Sequence, residues 1–218
     1  MTFDQIFSDS AVRTYIARAD MTLEALGFTE HSFPHVTMVA DRAAYILEQL
    51  GCAPRTVELA KIAGFLHDIG NVINRVDHSQ SGAVMAFRIL DRMDFPPEEI
   101  AIIISAIGNH DEGTGIPVNE VAAALIIADK SDVRRSRVRN PEDVRSDIHD
   151  RVNYSATRSE ITVDTDNKNL ILDLEVDTAI SSPMEYLEIF MKRMLLCRTA
   201  AEKLGLRFGL QINGQKLI

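Results

Sequence analysis

Residues 62–71 read IAGFLHDIGN, and this stretch decides the fold. Ile62, Ala63 and Leu66 continue an apolar stripe that begins at Leu59, the pattern of a helix facing a core. Pro54 is placed to open that helix, because its fixed φ suits a first turn. The stripe then ends on two polar residues side by side, His67 and Asp68. A carboxylate carried into an apolar interior is costly unless a charge compensates it.

Outward from this stretch, the same break occurs twice more. The apolar run from Ile100 to Ile107 delivers His110. The run VAAALIIAD over residues 121–129 sets Asp129 four residues after Leu125 and eight after Val121, on one buried stripe. Both runs are apolar all round and also admit a buried strand. Their alanines, and the Pro97-Glu98-Glu99 start of the first, favour helix. The nearest charge for Asp129 is Lys130, but adjacent helical residues point in different directions. Taken singly, His35 reads as a capping residue, Asp129 as an arginine-paired helix end and His110 as a loop residue. As a set they call for a metal ion, and imidazole with carboxylate suits manganese, iron, cobalt, nickel or zinc.

The rest of the first two thirds reads as helix. Val12, Ile16, Ala19, Leu23 and Leu26 form one stripe, stopped at Gly27, and further helices are expected over 34–50, 79–93, 97–108 and 118–133. Past Tyr154 the style changes. Ile161 and Val163, then Leu170, Leu172, Leu174 and Val176, alternate with polar neighbours around a turn at 166–169. Ser182-Pro183 starts a helix with Leu187, Phe190, Met191, Met194 and Leu195 inside; Gly205 ends it, and Leu206 to Ile212 alternate as a third strand. The expected fold is mainly α: a helical bundle over 1–153 and a small α+β appendage over 154–218.

The 218 residues, 46% hydrophobic, hold enough apolar material for one core. No apolar run reaches the roughly 20 residues of a membrane span, and MTFDQIFSDS does not read as a secretion signal. Two cysteines, Cys52 and Cys197, make no disulfide framework, which points to the cytoplasm. A net charge of −9 argues against general nucleic-acid or anionic-membrane binding. Within it, residues 130–139 hold five basic residues against one acid. That segment either pairs internally or meets an anionic substrate.

His35, HDIGN (67–71) and ADKSD (128–132) together resemble the HD-domain superfamily of metal-dependent phosphohydrolases, over roughly residues 33–132. The resemblance carries the four family metal positions onto His35, His67, Asp68 and Asp129. DHSQSGA (77–83) and NHDEGTG (109–115) are similar to segments that add His78 and His110 to a second ion in the two-metal branch, with Asp68 bridging. One departure stands out. NHDE has one histidine where the cyclic-dinucleotide phosphodiesterases of the superfamily have two, and their following Gly-Tyr-Pro signature is absent, which puts that substrate in doubt. The whole chain also looks like uncharacterised bacterial HD proteins with a similar C-terminal appendage.

The resemblance implies one or two divalent ions (manganese, iron, cobalt, nickel, zinc or magnesium) and a small phosphorylated substrate. It also implies hydrolysis of a phosphomonoester or phosphodiester by metal-activated hydroxide. Asp68 would bridge the ions. Lys130, and Arg134 one helical turn beyond it, would neutralise charge on the phosphate. Asn71 and Arg75 are further substrate contacts, and Asp111 or Glu112 could shuttle protons. His31 and His149 read as surface residues. The appendage could cover the site or build a homodimer. Two rival readings remain: an HD-type mixed-valent diiron oxygenase, and a non-catalytic nucleotide-sensing module.

Overall fold

In the computed structural model, residues 2–144 and 147–217 are described. A short α1 (Phe3–Ser8) leads into α2 (Ser10–Ala25), where the Asp9 side chain caps the first turn by accepting from Val12 N at 2.9 Å. Val12, Ile16, Ala19 and Leu23 are buried, as their spacing predicts, whereas Leu26 at the end of the stripe is exposed. Next come α3 (Phe33–Gln49), α4 (Pro54–Leu66), α5 (His78–Arg92) and α6 (Pro97–Gly108). Pro34, Pro54 and Pro97 sit in the first turns of α3, α4 and α6, where a missing N–H costs nothing.

The centre of the bundle is α7 (Glu120–Lys130), with every residue from Val121 to Ala128 buried. Its alanines let α3, α4, α6 and α9 all pack against it. The helix ends at Lys130, not near Val133: Ser131 caps it, the chain leaves the helical path after that residue, and Arg134 is extended, at φ −159°. Two glycines then set how closely the metal-motif elements approach. A Cβ on Gly64 would lie 2.7 Å from Ala40 Cα, so α3 and α4 touch backbone to backbone, one turn or so from His35 and His67. A Cβ on Gly70 would collide with the carbonyl of His78. The 3-10 turn Ile69–Val72 therefore rests directly on the start of α5.

After α8 (Ile148–Ser155), strands β1 (Ala156–Asp164) and β2 (Asn169–Val176) form the expected antiparallel hairpin. The long α9 (Pro183–Lys203) has Ser182 and Glu185 in a reciprocal capping box. It returns the chain so that β3 (Arg207–Ile212) lies parallel to β2, and a short β4 (Gln215–Lys216) completes the order β1-β2-β3-β4. One continuous core joins the helical residues to Leu170, Leu172, Leu174, Phe190 and Leu210. Among the described residues no helix is long and apolar enough to cross a membrane.

Candidate metal centre

Each of five elements brings one end to a single buried point. His35 lies in the first turn of α3, His67 caps α4, Asp68 follows it, His78 opens α5, His110 follows α6, and Asp129 sits in the last turn of α7. Asp77, at φ 55°, turns the chain so that α5 begins on His78; aspartate tolerates this left-handed conformation. All four histidines and Asp68 are buried.

The donor atoms form two adjoining sets, which meet where the donors of His67, Asp68 and His110 lie within 4.8 Å of one another. In the first, His35 Nε2 lies 3.3 Å from His67 Nε2, 3.5 Å from Asp68 Oδ2 and 3.5 Å from Asp129 Oδ1. His67 Nε2 lies 3.3 Å from Asp68 Oδ2 and 3.6 Å from Asp129 Oδ1. In the second, His78 Nε2 lies 3.2 Å from His110 Nε2 and 3.4 Å from Asp68 Oδ1. Asp68 thus turns one oxygen to each set. Donors that share an ion at about 2.1 Å stand roughly 3.0 to 3.4 Å apart, so the spacing suits a small divalent cation.

Every ring is held by its other nitrogen. His35 Nδ1 meets Asp132 Oδ2 at 2.7 Å, His67 Nδ1 the carbonyl of Gly64 at 2.8 Å, His78 Nδ1 that of Arg75 at 3.1 Å and His110 Nδ1 that of Ile107 at 2.6 Å. All four partners are acceptors, which assigns the N–H to Nδ1 and aims the Nε2 lone pair inward. Two Nε2 atoms facing each other at 3.2 to 3.3 Å repel unless a cation or proton lies between them. The residues therefore fit a metal ion.

The charges agree. Without an ion, a proton serves: His67 is held up to about 10, because Asp68 and Asp129 outweigh the opposing effect of burial. His110 is pushed down to about 3 by burial and by the charges of His67 and Lys130. Asp68 and Asp129 stay well below the usual carboxylate range despite burial, held there chiefly by His67 and Lys130 respectively.

Around the donors the sequence expectations need correction. Lys130 does reach Asp129: its Nζ lies 2.6 Å from Oδ2, leaving Oδ1 for the histidines. Adjacent Cβ atoms diverge on a helix, but a four-carbon stem curls back. Asn71 is buried and does not line the cavity; its Nδ2 donates to the Asp68 carbonyl and carboxylate at 2.9 Å, so it orients a ligand. Arg134 is not one helical turn beyond Lys130. Its guanidinium donates to Asp132 Oδ1 at 2.9 Å and Glu30 Oε2 at 3.0 Å and does not line the cavity. The basic segment mostly pairs internally: Arg135 with the Tyr154 carbonyl, Arg137 with the Asp132 and Glu30 carbonyls, Arg139 with Asp20.

A cavity of about 390 Å³ opens on the donors. Asp68, His78, His110 and Asp129 line it, with Arg75, Lys130, Arg137 and Glu112. His31 also lines it, half-buried and packed edge-on to His35 at 5.3 Å, so it belongs to the cavity wall; desolvation keeps its imidazole well below the usual range. His149 is exposed as expected, yet lies at the cavity. The carboxylates Asp147 and Asp150 also line it, as do Phe28, Phe190 and Arg193. Nothing in the sequence marked the last two, because α9 reads as an ordinary amphipathic helix until its partner surface is known.

The family model of the HD domain matches residues 33–151, more than half of the chain, and spans all six donors. The chain belongs to the HD-domain family. An uncharacterised protein of Methanocaldococcus jannaschii, MJ1020, is 28% identical to it over 164 residues. The match covers 65% of this chain and 62% of that protein's length. A crystal structure described as a predicted HD superfamily hydrolase, from an uncultured Thermotogales bacterium, aligns at 23% identity. Its TM-score is 0.47, over 62% of this chain and 75% of that one. The HD domain ends before α9, so Phe190 and Arg193 reach the cavity from outside the matched segment.

Proposed function

We propose that this HD protein is a metal-dependent phosphohydrolase that cleaves a phosphomonoester or phosphodiester of a nucleotide or small phosphorylated metabolite. One observation carries the reading: four imidazoles with their Nδ1 atoms tied to acceptors turn their Nε2 atoms onto Asp68 and Asp129, beside a cavity that also presents Arg75 and Lys130. His35, His67, Asp68 and Asp129 would hold one divalent ion, and Asp68, His78 and His110 a second. A divalent ion, when bound, brings the pKa of a coordinated water toward neutrality and polarises a phosphoryl oxygen.

The protein's own groups do the rest. Asp132 and the Gly64 carbonyl keep His35 and His67 in one tautomer and orientation. Lys130, anchored by Asp129 and 3.6 Å from Glu112, offers a fixed positive charge to phosphate oxygens. Arg75, with Nη1 3.9 Å from Asp68 Oδ1, offers a second at the other donor set. These cations in the cavity favour an anionic substrate that carries a phosphorus oxyanion.

The test is a screen of metal-reconstituted protein against phosphomonoesters, nucleotides and phosphodiesters without oxygen, with Asp68→Ala as control. Phosphate release that the control lacks supports the proposal. Oxygen uptake by a two-iron protein, or tight nucleotide binding with no turnover on any metal, overturns it.

A further inference from the structure

The helix α9 lies outside the matched HD segment, yet two of its residues, Phe190 and Arg193, share the cavity with the donors. The Arg193 side chain is only 25% exposed. Its guanidinium carbon sits 4.3 Å from the centroid of the Phe190 ring, within cation–π range. Arg193 Nε approaches Glu112 Oε1 at 2.5 Å, and that same oxygen lies 3.6 Å from Lys130 Nζ. The Nε contact is one of charge rather than an aligned hydrogen bond, since Nε counts as buried without a hydrogen-bond partner. Nor do the two Nη groups donate to any of the described residues. A chain of charge thus runs from Asp129 through Lys130 and Glu112 to Arg193.

Of the Arg193 nitrogens only Nε is buried without a hydrogen bond; the two Nη groups are accessible at the cavity and stay open to an incoming ligand. The arrangement is understandable if the partner comes from outside. A planar guanidinium fork set against an aromatic ring matches two oxygens of a phosphate. Glu112 then acts as a placeholder, holding the two cations apart until a stronger anion arrives.

We propose that Arg193 is a substrate-binding residue that grips the non-attacked oxygens of the phosphate, so that the C-terminal unit completes the active site. The inference rests on the phosphate-ester reading above. It goes further in taking a working residue from beyond the HD domain.

The probe is inorganic phosphate, titrated calorimetrically into metal-loaded full-length protein, with metal content and melting temperature checked for each variant. Arg193→Ala should weaken phosphate binding on the order of 10- to 100-fold at unchanged metal content, the range for hydrogen bonds to charged groups. Arg193→Lys should recover only part of it, because it restores charge without the fork. Glu112→Gln should move affinity the other way and tighten phosphate, since it removes the competing internal carboxylate. A purely structural Arg193–Glu112 strut predicts no gain there. With an active substrate, Arg193→Lys should raise KM more than it lowers kcat. Unchanged phosphate affinity in both Arg193 variants overturns the inference and leaves the hydrolase reading standing. If no metal-loaded form, wild type included, binds phosphate or releases it from an ester, the hydrolase reading falls and the inference with it.

Discussion

The two donor sets around Asp68 differ in how completely the fold provides for them. The first gathers four donors, His35, His67, Asp68 Oδ2 and Asp129 Oδ1, with the five separations given above all between 3.3 and 3.6 Å. Behind it stands a carboxylate, Asp132, that is itself held by Arg134 and Arg137. The second has three donors, all its ring supports are neutral carbonyls, and a protein cation is already present: Arg75 Nη1 lies 3.4 Å from His78 Nε2. A charged partner behind a ligand raises its basicity, whereas a like charge beside the site opposes an incoming ion. The first set should fill first and hold harder.

The strongest way to break this comparison is to remove what both sets share. Asp68→Ala should lower affinity for both ions by more than about 100-fold, beyond the 10- to 100-fold typical of outer-shell changes. Elemental analysis after dialysis checks it; retention of either ion would mean that Asp68 does not serve that set. Asp132→Asn should separate the sets. The first ion should weaken about 10- to 100-fold while the second changes little, as read by metal titration.

The pH dependence of stability sharpens the contrast. In the metal-free protein His67 titrates at about 10 against 6.5 when unfolded, so its stabilisation is complete below pH 6.5 and is lost as pH rises toward 10. Asp68 and Asp129 are shifted down, so their share is present above the ordinary aspartate value of 3.8 and is lost only as pH falls below it. Melting temperature with chelator present should therefore fall between pH 6.5 and 10, and an ion that replaces the proton should flatten the curve. Equal slopes with and without metal would count against an ion at the first set. The smallest effect belongs to Arg75→Met, which should tighten the second ion on the order of 5-fold by removing a neighbouring like charge. Looser binding would instead make Arg75 a support of that set.

Most of the helical architecture was legible from periodicity, because the stripes at Val12 to Leu23 and Leu59 to Leu66 depend only on local spacing. The hairpin and the Ser182 cap were legible for the same reason. Side-chain reach and helix ends are less legible. Periodicity alone carries α7 past Lys130 and misplaces Arg134, and the direction of its Cβ alone turns Lys130 away from Asp129. Arg134 is settled by a partner far away in sequence, Glu30, and Lys130 by a flexible stem long enough to curl back onto Asp129. Asn71 looked like a substrate contact because it lies between metal motifs, and only burial shows it orienting Asp68 instead. His31 gave no signal, since one histidine after a glycine-ended helix resembles any loop residue.

By itself the sequence determined that buried helices deliver histidines and carboxylates into an apolar interior, and so that something cationic must meet them. Hydrophobic periodicity and the cost of buried charge are local facts, readable residue by residue. Only the tertiary structure decided how the donors divide, with one oxygen of Asp68 to each set, and that α9 brings Arg193 to the same cavity. Those outcomes depend on close approaches between distant segments, such as Gly64 on Ala40 and Gly70 on His78, which no spacing along the chain encodes.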